Sequence, residues 1–359
     1  MANDIYRYKF ELNVGHECNF GCKYCFECGK RDTTEVSEEK LLAFAEYVKY
    51  WYFKLGPEHI WHFVVYGGEP LLYMSKYPRL FRQIQWLMNS IALVTNGSLV
   101  HKYQKELLAL KERLGPAFDC VVSYDFALQD ETRQEGTYQL VRDNIRWLAQ
   151  HEMCNRCSSV FTYSTLHRID EVFFDFVELW KEFPDMKLGF NIARHGNEDE
   201  TVDFSALEAA LIRIRAYMDE HPEIEPHFFY NYSVGYTGDR APECVFANIL
   251  AAMDPNGDVY PGYNFPYENE YIRETFCFGN IMDGIPALES KRKALINELP
   301  DTPPPGCGSC DANCRIIPWI YMEDDLSQYN IPPAEPHCSA HKLVTKYITE
   351  RRDPAFRVE

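Results

Sequence analysis

Basic residues are scarce in this chain. Lys and Arg number 36 against 54 Asp and Glu, for a formal net charge of −18. That shortage argues against a nucleic-acid backbone as the main partner, because phosphate binding needs clustered Lys and Arg. No apolar run is long enough to span a bilayer. No apolar N-terminal signal is present either: residues 1–8 are polar and run straight into a strand pattern. Long linkers and low-complexity segments are also lacking. These absences predict a cytoplasmic protein without a membrane or nucleic-acid partner. In a reducing cytosol its 13 cysteines, an odd number falling mostly in close clusters, read as metal ligands and not as disulfides.

What is present begins with core material. Hydrophobic residues make up 46% of 359 and aromatics 15%, enough for one large domain and a smaller one. The pattern predicts strands at 8–14, 60–66, 91–94, 118–123, 158–163 and 187–192. Helices are predicted at 36–53, 78–88, 99–113, 138–150, 171–182 and 204–220, the first with Ser37 as N-cap. Such alternation implies a parallel sheet covered by helices. After His221-Pro222 it stops, and Pro, Gly and Cys rise. A boundary near 225 therefore divides residues 1–225 from 226–359. In the second part Met253–Tyr260 reads as a hairpin turning at Asn256-Gly257, and a helix is predicted around 285–299.

The chain is organised around Cys18, Cys22 and Cys25, spaced C-x3-C-x2-C in the loop after the first strand. Three thiolates this close face one object, and soft sulfur ligands select zinc, copper(I) or an iron–sulfur cluster. A closed zinc site or an ordinary four-iron cluster takes four ligands, so three leave one metal position open. Cys28, past the aromatic pair Tyr24 and Phe26, reads as a bystander. Other candidates also lie where strands end, the place where barrels build their sites: Gly67-Gly68-Glu69, Thr95-Asn96, Ser123 and Asp125, and Asn191 with Arg194. Two glycines let backbone approach a ligand, and a carboxylate accepts from an amine. A lone Gly-Gly is otherwise a plain turn, and Ser123 with Asp125 is otherwise a capping pair.

C-x3-C-x2-C with an aromatic before its last cysteine resembles the cluster loop of radical S-adenosylmethionine (SAM) enzymes. The resemblance implies a partial (β/α)6 TIM-like barrel of the α/β class, with a small cysteine-rich C-terminal α+β extension. It implies a [4Fe-4S] cluster on Cys18, Cys22 and Cys25, whose open iron chelates SAM and cleaves it reductively to a 5′-deoxyadenosyl radical. Gly67-Gly68-Glu69 is similar to that family's motif for the SAM amino group. Ser123-Tyr124-Asp125, with Arg133 and Gly136 after it, resembles the segment after the fourth strand that meets the ribose hydroxyls or the amino group. The second part resembles the SPASM or twitch extension, which carries one or two auxiliary iron–sulfur clusters. Cys244, Cys277, Cys307, Cys310, Cys314 and Cys338 would be its ligands. This chain departs from that pattern at Gly262 and Ile316, where cysteines are expected, so two clusters would be incompletely ligated by cysteine. Cys154-x2-Cys157 and Cys120 read as structural thiols.

Enzymes with this extension mostly modify peptides or proteins. Gly262-Tyr263-Asn264 stands where sulfatase-maturing members carry an aspartate after a cysteine, which weakens that assignment. The leading expectation is hydrogen abstraction from a ribosomally made peptide, leading to cross-linking, oxidation or epimerisation, with flavodoxin or ferredoxin as electron donor. Strand pattern begins at Tyr8, so a fused leader-binding domain is not expected, and a separate leader-binding protein or direct docking would deliver the peptide. The alternatives are dehydrogenation of a small molecule by the same radical and, outside enzymes, a zinc-stabilised binding protein. No catalytic acid or base is singled out by the sequence.

Overall fold

A computed structural model of the chain describes residues 5–27, 33–193, 201–230, 249–263, 265–267, 270–298 and 337–348. The fold is α/β, with parallel strands alternating with helices in the manner of a partial TIM-like barrel. The chain divides into two compact units. One comprises Met1–Asn19, Glu27–Val121 and Asp239–Asp301; the other comprises Phe20–Phe26, Val122–Gly238 and Thr302–Glu359.

In the first unit β1 (Arg7–Asn13), β2 (Ile60–Tyr66) and β3 (Ser90–Thr95) are parallel neighbours. Asn13 lies opposite Tyr66, and His62 opposite Ser90. Alternate residues on these strands, Phe10, Leu12, Trp61, Phe63, Val65, Ile91 and Leu93, are buried. They pack under α1 (Glu38–Leu55), whose Phe44 ring meets Phe10 at 6.3 Å and Phe63 at 6.1 Å. The helix starts where Ser37 accepts from the Lys40 N–H and two glutamates fill the first turn, and it ends at Gly56 with φ +112. Burying each of these aliphatic and aromatic side chains contributes ~1.5–3 kcal/mol. The intervening residues Lys9, Glu11 and Asn13 occupy the opposite face of β1.

The other edge of β1 pairs in parallel with β8 (Ile249–Met253), with a register shift between Lys9 and Phe10. β8 turns through Asn256-Gly257 into antiparallel β9 (Asp258–Tyr260), as the hairpin signal predicts, with Gly257 at φ +91. β10 (Gly279–Asn280) closes this edge on β9. A helix, Ile285–Glu298, follows, and its Glu289 accepts from the Tyr47 hydroxyl of α1 at 2.6 Å.

In the second unit β5 (Arg156–Phe161), β6 (Lys187–Ile192) and β7 (Phe228–Tyr230) are parallel neighbours. Helix Ile169–Glu182 intervenes between β5 and β6 and helix Phe204–Glu220 between β6 and β7, while helix Tyr138–Gln150 precedes β5 and a short helix, Gln129–Thr132, comes before it. An aromatic core joins them: Phe228 lies 4.9 Å from both Phe173 and Phe190. β7 lies beyond the last of the six alternating strands expected from the pattern. β4 (Phe118–Ser123) carries residues of both units.

Candidate active site

Candidate residues occur in both units. In the first, the loop after β1 and the loop after β2 are joined by backbone bonds. Gly68 N–H donates to the Gly15 carbonyl and Glu69 N–H to the Glu17 carbonyl, both at 2.8 Å. The glycines are needed for this contact. A Cβ on Gly68 would stand 2.2 Å from the Glu17 carbonyl oxygen, and one on Gly67, whose φ is +144, would stand 2.7 Å from that of Gly15. Close approach is therefore made, and what approaches is the chain's own cysteine-bearing loop.

The Glu69 carboxylate is fully buried. Its Oε1 accepts from the Leu71 N–H at 3.0 Å and the Thr95 hydroxyl at 2.7 Å, and its Oε2 from the Asn96 N–H at 2.8 Å. It ties the ends of β2 and β3 together. Asn96 continues the chain of contacts toward Cys18. Its Nδ2 donates to Asn19 Oδ1 at 2.9 Å and stands 3.9 Å from Cys18 Sγ, while Asn19 Nδ2 donates to the Ser98 hydroxyl at 2.8 Å.

In the second unit, the residue at the centre is Asp125, also fully buried. Its Oδ2 accepts from the Tyr24 hydroxyl at 2.5 Å and the Thr132 hydroxyl at 2.7 Å, with Arg133 Nε at 3.1 Å. Its Oδ1 accepts from the Val160 N–H at 3.0 Å and the Ser159 hydroxyl at 3.2 Å. Arg133 Nη1 reaches Cys22 Sγ at 4.0 Å, and the guanidinium lies 5.4 Å from the Tyr24 ring centroid. Burial opposes the charge on Arg133, but Asp125, Tyr24 and Cys22 outweigh it, so its pKa rises and it stays cationic. Burial raises the Tyr24 phenol well above its ordinary value; Arg133 opposes that shift, and Asp125 and Cys22 reinforce it. The segment 22–24 is also bound by its backbone, Lys23 N–H donating to the Thr132 carbonyl at 3.0 Å. Ser123 ends β4 half-buried, and Asn191 in β6 lies opposite Val160.

The thiol of Cys22 is buried, and those of Cys18 and Cys25 are half-buried. A charge-bearing or amide N–H stands beside the sulfur of Cys18 and of Cys22, the arrangement expected around anionic sulfur ligands. By their chemistry, thiol donors of this kind suit an iron–sulfur cluster. Among the described residues no three His, Cys, Asp or Glu side chains are set to hold a single metal ion. Of the C-terminal cysteines, Cys277 is a half-buried thiol 3.9 Å from the Gly279 carbonyl. Cys244, Cys307, Cys310 and Cys314 lie outside the described residues, as do Arg194, Cys28 and the side chain of Cys338, whose backbone belongs to the helix His337–Ile348. Cys120, Cys154 and Cys157 are buried thiols, with Cys157 against Met186 at 3.9 Å.

Sequence reasoning missed a further group in the first unit, near the C-terminal ends of β1, β2 and β8. Glu11, Glu27 and Asp254 are buried, and Tyr66 is buried with a hydroxyl that has no hydrogen-bond partner among the described residues. Tyr263 packs its ring on Tyr66 at 5.6 Å and donates its backbone N–H to Glu11 at 3.1 Å. Burial first, then Glu11, Glu27, Asp254 and Tyr263, hold the Tyr66 phenol neutral. The position of Tyr66, directly before Gly67-Gly68 at a strand end, was the available signal.

Residues 12–176 match the model of the Radical SAM superfamily. No curated protein matches it. Among solved structures, anSMEcpe with bound AdoMet and the Cp18Cys peptide is similar at a TM-score of 0.67 and 19% identity, over 95% of this chain and 96% of that one. Its complex with AdoMet and the Kp18Cys peptide gives 0.68 and 18%, with the same coverage. Streptococcus suis SuiB bound to the precursor peptide SuiA gives 0.53 and 13%, over 90% and 76%.

Proposed function

We propose that this radical SAM enzyme modifies a peptide, with Cys18, Cys22 and Cys25 as ligands of its [4Fe-4S] cluster. The observation that carries the reading is the three-cysteine loop inside the radical SAM domain, with an N–H donor beside two of its sulfurs. When bound, cluster and SAM supply a 5′-deoxyadenosyl radical that abstracts hydrogen from substrate. The chain's own residues position them. Gly67 and Gly68 admit the cysteine loop, and Glu69, whose carboxylate is taken up by Leu71, Thr95 and Asn96, fixes the backbone that would meet the SAM amino group. Structures similar in fold hold AdoMet with peptides or a precursor peptide, and this supports a peptide substrate here. Cross-linking, oxidation or epimerisation, an electron donor of the flavodoxin or ferredoxin kind, and a separate leader-binding protein complete the proposal, as does a cytoplasmic setting. Auxiliary clusters would draw on Cys244, Cys277, Cys307, Cys310, Cys314 and Cys338. No helix among the described residues is long and apolar enough to cross a membrane.

The test is anaerobic reconstitution with iron and sulfide, iron counting, and assay of SAM cleavage, beside a Cys18/Cys22/Cys25→Ala variant. Wild type is expected to hold more iron than one cluster and to release 5′-deoxyadenosine. The variant should keep some iron and lose cleavage. Zinc uptake with intact SAM would overturn the reading.

A further inference from the structure

We infer that Asp125 and Arg133 serve the cysteine loop as positioning residues, seating Tyr24 between two cluster ligands and holding a fixed positive charge beside Cys22, in place of contacting SAM. The inference rests on the cluster assignment to Cys18, Cys22 and Cys25. Its ground is geometric. Three successive loop residues are each held from the stretch 125–133: Cys22 by Arg133, Lys23 by the Thr132 carbonyl, and Tyr24 by Asp125. Asp125 accepts from four aligned donors and pairs with one cation, all from its own chain, and it is fully buried. A carboxylate so occupied has little left to offer a ribose hydroxyl or an ammonium group.

Arg133 adds charge to the seat. Its Nε lies at ion-pair distance from Asp125, while Nη1 points to the Cys22 sulfur. The guanidinium therefore faces two groups at once, a carboxylate and the sulfur that becomes a thiolate in a loaded site. A charge fixed next to a thiolate ligand favours the reduced, more negative state of a cluster, since hydrogen bonds and charge at the sulfurs set cluster potentials. The anchor also explains why Tyr24 carries a hydroxyl where an apolar aromatic would pack as well: the oxygen is what reaches Asp125.

The experiment uses the full-length, anaerobically reconstituted protein and two readouts besides turnover. These are the rate at which a chelator strips iron from the SAM-site cluster and that cluster's midpoint potential followed by EPR. A set with the six C-terminal candidate cysteines replaced by Ala isolates the site. Tyr24→Phe should lose iron roughly tenfold faster, the loss of one charge-assisted hydrogen bond, with the potential near that of wild type. Arg133→Met should lower the potential, and Arg133→Lys should restore most of it. Tyr138→Phe, which breaks a phenol–carboxylate bond to Asp175 in the same unit, should move neither quantity. Unchanged iron release in Tyr24→Phe together with an unchanged potential in Arg133→Met overturns the inference. Equal effects from Tyr138→Phe would also overturn it, by showing general loosening. A wild type that takes up no cluster at Cys18, Cys22 and Cys25 sinks the cluster assignment instead.

Discussion

Asp254 and His62 respond to acid in opposite directions. Burial, helped by Asp258, raises Asp254 from 3.8 to about 6, so its folded form prefers the proton. The stability this contributes is present below pH 4 and is lost as pH rises through 6. Burial, with Arg7 and Lys9, lowers His62 from 6.5 to about 4, so its folded form prefers to be neutral. That contribution is present above pH 6.5 and is lost as pH falls through 4. Between pH 4 and 6 the two slopes oppose each other, and wild-type stability should change little on their account. Asp254→Asn should leave stability rising with pH across that window, and His62→Gln should leave it falling. Denaturant unfolding at half-unit steps of pH checks both; parallel curves for all three proteins would refute the assignment. The Asp254 turn survives the change, because Asn still accepts from the Asp258 N–H, a 3.0 Å bond in the parent.

At the scale of elements, the loops after β1 and β2 behave as one piece. Three backbone bonds run from the Val14 N–H to the Tyr66 carbonyl, the Gly68 N–H to that of Gly15 and the Glu69 N–H to that of Glu17, and the Glu17 N–H donates to the Tyr73 side-chain hydroxyl. A methyl on Gly68 meets main-chain carbonyls, which no side-chain rotation relieves. Gly68→Ala should therefore cost several kcal/mol, of the order found for overpacked and strained sites, and should lower cluster uptake with it. Thermal unfolding of the apoprotein and iron content after reconstitution are the measurements. The elements themselves were largely legible. Ile60–Tyr66, Phe118–Ser123 and Lys187–Ile192 end where the pattern ends, and Ser37 caps its helix, because apolar period, turn residues and caps are local signals. Pairing between distant segments is not local, so β7 and the place of β8 beside β1 were not visible. The site divides in the same way. Cysteine spacing announces a cluster loop, but nothing in the spacing says that Asp125 faces Tyr24, or that Glu69 faces Thr95 and Asn96. Both carboxylates were read as ligands for SAM, and both are buried against their own chain.

For the whole molecule, the net charge of −18 sets a repulsion that the fold must overcome. Added salt screens it over about 10 Å at 0.1 M, and the exposed ion pairs it also screens contribute little each. The melting temperature of the apoprotein should thus rise between about 0.01 and 0.15 M sodium chloride; a fall would mean that attractive pairs dominate. The order of synthesis imposes a second condition. β8 lies against β1, yet Ile249, paired with Lys9, is made about 240 residues later. At ribosomal speeds of ~5–20 residues per second, that gap lasts on the order of tens of seconds. Throughout it the N-terminal strand presents an open edge, an invitation to intermolecular strand pairing, while the thiols that follow it have already emerged. Each nascent chain therefore passes through an interval in which chaperone capture and early metal loading compete with aggregation.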